Sequence, residues 1–382
     1  MRPLAVLHET DHDLTELFPQ LPRPEQTALA AAVVGTVQAE SVVLNRAASA
    51  VPGPACAPST RRRFQRLVAN PRLEVVSSQD ALMARVLSGR TGRLDLTLDA
   101  TTTGASRHDP GTTTLLVAQP DARRAQPLVW RSWASHQPDQ DWAPVIRDFL
   151  ERVDAARPAA TQPVLMTDRG LRGGPLARAA LARGWHILLR VQRATRLQQP
   201  DGTVLEIGDL TPEPGTRALL SGVRLFAPRA RRHGRWESDW AAALLLNVVA
   251  VWRVGDPEPW LLVTDLPAQR RRCSEYRRRT WQEECHRDGK RLGLEWQHSR
   301  VRRPERVERV LLILALAMLW LLALGHRVVR YGWRRQLDDA SRVTLSRFQL
   351  GVRWLRRLRV NGRPLPCHLR FLPVHAAPIK LS

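Results

Sequence analysis

Cysteine is scarce in this chain. The four that occur are widely separated, and none forms a CxxC pair or stands at the Cys/His spacing of a zinc-binding site: Cys56, Cys273, Cys285 and Cys367. Without that spacing a structural zinc site is not expected. Without closely grouped pairs a disulfide framework is not expected either.

Long apolar runs are also scarce. The beginning of the chain, MRPLAVLHETDHDL, is too polar for a signal peptide. One sustained apolar stretch, VLLILALAMLWLLALG at residues 310–325, falls short of the about 20 residues that span a bilayer. We therefore expect a fully buried helix there, no membrane partner and a cytoplasmic protein.

The chain has few acidic residues for its number of basic ones. It contains 59 Lys and Arg against 36 Asp and Glu, a formal net charge of +23 in 382 residues. GC-rich coding can explain the preference for arginine over lysine, but it does not explain the excess of basic over acidic residues. The positive electrostatic potential of such a chain attracts polyanions, so nucleic acid is the expected partner. The apolar fraction of 43% supports packed cores and argues against global disorder.

Lysine and tyrosine are the rarest polar types: each occurs twice, and one of each falls in YRRRTWQEECHRDGK, residues 276–290. At about 100° per residue on an α-helix, Tyr276, Arg279, Glu283 and Lys290 lie on one narrow stripe. A carboxylate flanked by two cations and a phenol suits the binding of a phosphate near a metal ion. A solvated, charged helix face is the alternative interpretation.

Glu283 and Glu284 are adjacent, and only one of them can lie on this stripe. Neighbours on a helix point about 100° apart, so Glu284 faces away from it. We expect Glu284 to form an i,i+3 pair with Arg287, which is worth a few tenths of a kcal/mol.

The sequence pattern changes near residue 90. Before it, two Ala-rich segments with helical spacing, residues 23–50 and 78–89, are joined by a basic segment, residues 53–68. We predict a helical N-terminal region, residues 1–90, that binds DNA, although no helix-turn-helix pattern can be assigned in it.

Residues 91–330 predict an α/β domain. Strand and helix patterns follow in the order β-β-β-α-β-α-β, at residues 93–102, 113–120, 125–135, 141–156, 162–170, 174–184 and 186–192. This order indicates a mixed sheet built around a parallel unit. A β-rich insertion is expected at about 193–272, before the helix of residues 276–290 and the long buried helix. Residues 331–382 are expected to form a basic, peripheral and partly helical tail.

Two aspartates lie at the predicted ends of strands. Asp99 ends a strand pattern and is followed by Ala-Thr, and Asp168 ends another and is followed by Arg-Gly. Taken alone, each is most simply a cap or turn residue. With Glu283 on a facing helix, the two form a set of three carboxylates at the edge where ligands collect in sheets with parallel strands. Such oxygen ligands suit hard divalent cations, and two such ions can activate a nucleophile and stabilise the leaving oxygen of a phosphodiester.

In these residues the chain resembles the DDE transposases of bacterial insertion sequences, specifically insertion-sequence family four. That family carries a Y-x2-R-x3-E-x6-K signature, which the segment of residues 276–290 matches in full. In that family the first catalytic Asp stands in a D-x-T motif, which LTLDAT matches here. The second Asp is followed by Arg or Lys and then Gly, which LMTDRG matches. The resemblance covers about residues 93–325.

The resemblance implies a ribonuclease H-like catalytic core. It implies that the catalytic residues, which are also the ligands of Mg²⁺ or alternatively Mn²⁺, are Asp99, Asp168 and Glu283. It further implies that DNA phosphates, or a displaced end nucleotide, are held by Tyr276, Arg279 and Lys290. The implied chemistry is water attack at the ends of the element, sometimes with a hairpin intermediate, and then attack of the 3′-OH on target DNA.

The implied partners are the terminal inverted repeats of the element and target DNA, bound by a dimer in a synaptic complex at the bacterial nucleoid. A catalytically inactive, transposase-derived DNA-binding protein is the alternative, which the presence of all three carboxylates disfavours. Another ribonuclease H-like nuclease is disfavoured by the four-residue signature.

Overall fold

The N-terminal region of the chain is helical. In the computed structural model, the described residues are 3–105, 110–135, 141–171, 173–232, 235–338, 344–363 and 365. The first five helices are α1 (Pro3–Leu17), α2 (Arg23–Ala39), α3 (Leu44–Ser49), α4 (Ala57–Ala69) and α5 (Val75–Leu87). Because α2 carries small apolar side chains on all its faces, it is buried almost throughout. The helical character predicted for residues 1–90 agrees with the structure.

A mixed sheet follows, as predicted. Its elements are β1 (Gly92–Thr103), β2 (Thr112–Asp121), β3 (Arg124–Ala134), α6 (Trp142–Ala156), β4 (Thr161–Thr167), α7 (Gly173–Leu181) and β5 (His186–Arg190). The strands lie in the order β3-β2-β1-β4-β5, antiparallel from β1 to β3 and parallel from β1 to β5. This arrangement is compatible with a ribonuclease H-like core.

The predicted insertion is rich in strands, but it continues the main sheet. It contains β6 (Arg196–Gln198), β7 (Val204–Glu206), β8 (Arg217–Leu225), β9 (Arg229–Arg232), β10 (Arg235–Ser238), β11 (Leu244–Val251) and β12 (Trp260–Thr264), with short 3₁₀ turns at Ile207–Leu210 and Trp240–Ala242. Strand β12 pairs antiparallel with β5, and β11, β8, β6 and β7 extend the sheet to ten strands. The edge that β5 would otherwise expose is thereby paired.

The segment with the four-residue signature is helical, but it is not one ideal α-helix. It runs as α8 (Arg271–Tyr276), a 3₁₀ turn (Arg277–Arg279), α9 (Thr280–Arg287) and a π-helical turn (Asp288–Leu292). A 3₁₀ turn (Trp296–Ser299) leads to α10 (Pro304–Arg330), and another (Trp333–Gln336) precedes α11 (Arg347–Val360). Since these turns depart from 3.6 residues per turn, the angular positions expected for an ideal helix shift along the segment.

Helix α10 is the central helix of the core, which confirms the prediction of a buried helix. By length and composition it could cross a membrane, yet 94% of its most apolar window is buried within the protein. Its neighbours include α2, β3 and α11.

Helix α11 differs from the expected peripheral tail, because it packs against α10 and adds Phe348, Leu350 and Leu355 to the core. Two glycines allow this close approach. A Cβ on Gly325 of α10 would lie 1.8 Å from the carbonyl oxygen of Arg347, and one on Gly351 would lie 2.0 Å from that of Leu321. Most of the chain after α11, with Cys367 and Lys380, lies outside the described residues.

Candidate active site

The parallel pairing of β1 with β4 brings Asp99 and Asp168 together. The last pair of this ladder is Leu98 with Thr167, and each aspartate is the next residue along the chain. Asp168 follows the end of β4, as predicted. Asp99 lies inside β1, because β1 keeps pairing with β2 as far as Thr103 after the ladder with β4 has ended.

Each aspartate also makes a local hydrogen bond. The backbone N–H of Ala100 donates to Oδ1 of Asp99 (3.0 Å), and that of Gly170 donates to Oδ1 of Asp168 (2.7 Å). The second bond is an Asx turn, so Asp168 has the local geometry of a turn residue, while its Oδ2 stays available to other partners. In both residues the other oxygen, Oδ2, remains directed at Arg279.

Arg279 lies at the centre of the site. Its Nη2 is 3.2 Å from Oδ2 of Asp99 and 3.2 Å from Oδ2 of Asp168, and its Nη1 donates to Glu283. The side chain is nearly buried, with Arg279 only 8% exposed. The three carboxylates predicted as metal ligands therefore all contact one guanidinium. In this conformation both terminal nitrogens of Arg279 face carboxylates, and the predicted phosphate contact of Arg279 stays a prediction.

Glu283 and Glu284 have different partners. Glu283 pairs with Arg279 at i,i+4 and keeps a side chain that is 53% exposed. Glu284 pairs with Arg287 at i,i+3, which confirms the expected pair, and lies 3.7 Å from Nη1 of Arg124. Of the two, only Glu283 reaches the guanidinium shared by the aspartates.

Tyr276 and Lys290 lie next to the carboxylates and contact the backbone of the strands. Tyr276 is 3% exposed, and its hydroxyl donates to the carbonyl oxygen of Thr167 at 3.0 Å. The Nζ of Lys290 donates to the carbonyl oxygen of Thr102 at 2.8 Å. The surface stripe predicted from an ideal helix therefore differs from the structure at Tyr276. Packing against β4 places its phenol in the interior, where it has no access to a phosphate in this conformation.

Burial and like charges raise the pKa of Asp99. Removal from water is the largest cause, Asp168 and Glu283 add to it, and Arg279 opposes it, so that the pKa rises to about 6. This elevated value is typical of carboxylates gathered closely in a partly desolvated site.

His286 is a residue that the sequence interpretation did not assign to the site. Its Nε2 lies 3.7 Å from Oδ2 of Asp99 and has no hydrogen-bond partner among the described residues. Burial, with the charges of Lys290 and Arg279, lowers its pKa to about 3, so the ring is neutral at pH 7. The feature of the sequence that could have pointed to His286 is its position one helical turn after Glu283, on the same side of the helix.

The donor set fits a divalent cation if Arg279 moves. Three carboxylates supply hard oxygen ligands, and the neutral, unpartnered Nε2 of His286 is a further donor. In the structure the carboxylate oxygens surround a guanidinium and do not converge on a single point. The group of ligand atoms that does converge, among the described residues, is His12, Asp13 and Glu16 on the surface of α1.

Comparisons with known proteins add little to this geometry. No protein-family model matches the chain, and no curated protein matches it. Among solved structures it is similar to a piggyBac transposase, seen by cryo-EM in a synaptic complex with hairpin DNA. The TM-score is 0.42 and the identity 11%, over 98% of this chain and 86% of that one. At this level the similarity assigns neither a family nor a function.

Proposed function

We propose that this protein is a metal-dependent DNA transposase that cuts the ends of a DNA element and joins them to target DNA. One observation carries the proposal: Asp99, Asp168 and Glu283 come from three distant segments and contact the same guanidinium. A turn or capping role explains one aspartate alone. It does not explain three carboxylates gathered in a partly desolvated site, where like charges repel.

In the proposed mechanism, the residues that would hold the cations are Asp99, Asp168 and Glu283. When bound, Mg²⁺ would activate the attacking oxygen and stabilise the leaving oxygen of the phosphodiester. Asp99 must lose its proton to act as a ligand, and its raised pKa of about 6 still leaves it mostly ionised at neutral pH. Tyr276 fixes the helix against the end of β4, one residue before Asp168.

Arg279 has two roles in this proposal. Without DNA it pairs with all three carboxylates and offsets part of their negative charge. With divalent cations bound to the carboxylates, its planar guanidinium would be free to bind a phosphate with two parallel hydrogen bonds. Lys290, now bonded to the backbone of Thr102, lies at the same end of β1 and supplies a second cation for the DNA backbone.

A second candidate is a DNA-binding protein that descends from a transposase and has no catalytic activity. The position of Arg279 favours it, because an internal cation already pairs with all three carboxylates, as in a purely structural ion-pair network. The two candidates differ in whether divalent cations produce any strand cleavage.

The deciding experiment uses supercoiled plasmid that carries the inverted repeats flanking the gene. Purified full-length protein is incubated with it in Mg²⁺, in Mn²⁺ and in EDTA, and nicked, linear and joined products are separated on gels. Cleavage at the repeat ends in Mg²⁺ or Mn²⁺, absent in EDTA, supports the transposase. Specific binding of the repeats without cleavage under any condition supports the inactive DNA-binding protein.

A further inference from the structure

Helix α4 carries the most strongly cationic face in the N-terminal region. Its buried residues, Thr60, Phe64, Leu67 and Val68, recur at helical spacing and face the core. The opposite side, which we name the α4 cationic face, is exposed and consists of Arg61, Arg62, Arg63 and Arg66.

Among the described residues, the arginines of this face make no hydrogen bond and no ion pair. The chain has no Asp or Glu between Glu40 and Glu74. Four like charges on one short helix repel one another, and nothing in the surrounding sequence offsets the repulsion. The face therefore has the charge of a surface that binds an anionic partner.

The C-terminal end of the helix is anchored to the rest of the protein by side-chain hydrogen bonds. Arg309 of the central helix α10 is buried and donates to the carbonyl oxygens of Val68 (3.2 Å) and Leu73 (3.4 Å), at the C-terminal end of α4. Asn70, the residue after α4, donates to Glu25 of α2 at 2.7 Å. A partner bound to the face would thus be connected through Arg309 to the core of the protein.

We propose that the α4 cationic face binds the phosphate backbone of duplex DNA. The outer side chains of α4 are arginine, glutamine, serine and proline, and the large apolar residues exposed elsewhere in the described chain do not include any on this helix. A helix that inserts into a membrane interface needs an apolar face directed at the lipid, and here the apolar face is turned to the core. The inference rests on the proposed function only in taking DNA as the partner.

Helix α11 supplies a matched control. It also exposes four arginines, but each is bonded within the protein: Arg353 to the carbonyl oxygen of Leu337, Arg356 to the carboxylate of Glu40, Arg357 to the carbonyl oxygen of Gln336 and Arg359 to that of Gln38. Replacing four arginines in either helix changes the net charge of the protein by the same amount. The α4 variant loses arginines without a partner among the described residues of the protein, and the α11 variant loses arginines that are hydrogen-bonded within it.

The test measures DNA binding by the full-length protein in EDTA, where no cleavage occurs. A fluorescent duplex of random sequence is titrated at several salt concentrations with wild type, with the four α4 arginines changed to glutamine, and with the four α11 arginines changed to glutamine. Glutamine keeps helix propensity, and circular dichroism and thermal unfolding establish that each variant is folded.

We expect the slope of log K against log salt to become shallower in the α4 variant by about 0.9 for each phosphate that is no longer neutralised. Near 0.1 M salt, the removal of each such arginine–phosphate pair weakens binding roughly tenfold. The α11 variant should change much less. An unchanged slope in the α4 variant, or equal reductions in both variants, overturns the inference.

Two further outcomes are informative. If the α4 variant keeps DNA binding but loses binding to phosphatidylserine vesicles that wild type shows, the face binds lipid and the inference is overturned. If the α4 slope changes as expected while no condition yields cleavage of plasmid, the DNA surface stands and the catalytic proposal fails, so the two failures are distinguishable.

Discussion

Asp99 in β1 and Asp168 just after β4 stand side by side, one residue past the last pair of the parallel ladder, and each places its Oδ2 3.2 Å from the same nitrogen of Arg279. Two carboxylates in this arrangement need a cation between them. The structure supplies a guanidinium, and the proposed function requires divalent metal ions in its place. Each part of this proposal can be tested separately.

Removing either aspartate should abolish strand cleavage. Asp99→Ala and Asp168→Ala each delete an oxygen donor that the other carboxylates cannot replace. Cleavage of plasmid in Mg²⁺ should fall to background, while binding of the inverted repeats, measured by gel shift, stays nearly intact. Cleavage at a near wild-type rate in Asp168→Ala would show that this residue is only the Asx-turn residue.

Glu283 and Glu284 form a matched pair for the third carboxylate. Glu283→Gln should stop Mg²⁺-dependent cleavage, because it removes the third carboxylate proposed as a metal ligand, the one that joins the two aspartates around Arg279. Glu284→Gln should retain most of the activity, since it loses a surface pair with Arg287 that is worth a few tenths of a kcal/mol. The reverse result would assign the metal ligand to Glu284 and remove the roles given to Arg279 and Lys290.

The raised pKa of Asp99 predicts a pH dependence of stability. Between its ordinary pKa of 3.8 and the folded value of about 6, the native state binds a proton that the unfolded chain has lost. The stabilisation from this group is complete below the ordinary value and is lost as the pH rises through about 6. The Asp99→Asn variant should not show this loss. The difference between its free energy of unfolding and that of wild type should therefore grow by on the order of 3 kcal/mol from acidic to neutral pH. Urea unfolding at both pH values measures the difference, and a constant difference contradicts the assignment.

Tyr276→Phe separates a structural from a DNA-binding role for the phenol. The hydroxyl is buried and donates to Thr167, so its loss should reduce the free energy of unfolding by about 1 kcal/mol. Affinity for the inverted repeats should not change. A fall in DNA affinity without a loss of stability would instead mean that the phenol leaves the interior to contact a phosphate.

The packing of α11 on α10 depends on two glycines. Gly325→Ala or Gly351→Ala would drive a methyl group into a facing backbone carbonyl, and we expect a loss of about 1–3 kcal/mol or more. Gly289→Ala is the control, because its added methyl would meet only the side chain of Leu314 at 3.7 Å. Thermal unfolding should therefore show a lowered Tm for the first two variants and an unchanged or raised Tm for the third.

The sequence by itself determined the features that depend on neighbours along the chain. Alternating and helical apolar patterns placed the strands and helices of residues 91–190 within a few residues of their bounds, because those patterns reflect which side of a local element is buried. The pairs Arg279–Glu283 and Glu284–Arg287 were also accessible, since residues three or four apart on a helix always lie side by side.

Tertiary structure alone decided the features that depend on contacts between distant segments. Strand register puts Asp99 beside Asp168, and the packing of the helical segment against β4 turns Tyr276 inward and aims Arg279 at both aspartates. The position of Arg279 follows from where three separate segments meet in space. No spacing within residues 276–290 carries that information, because a local helix determines only relative angles and the partner that each side chain meets is set by long-range packing.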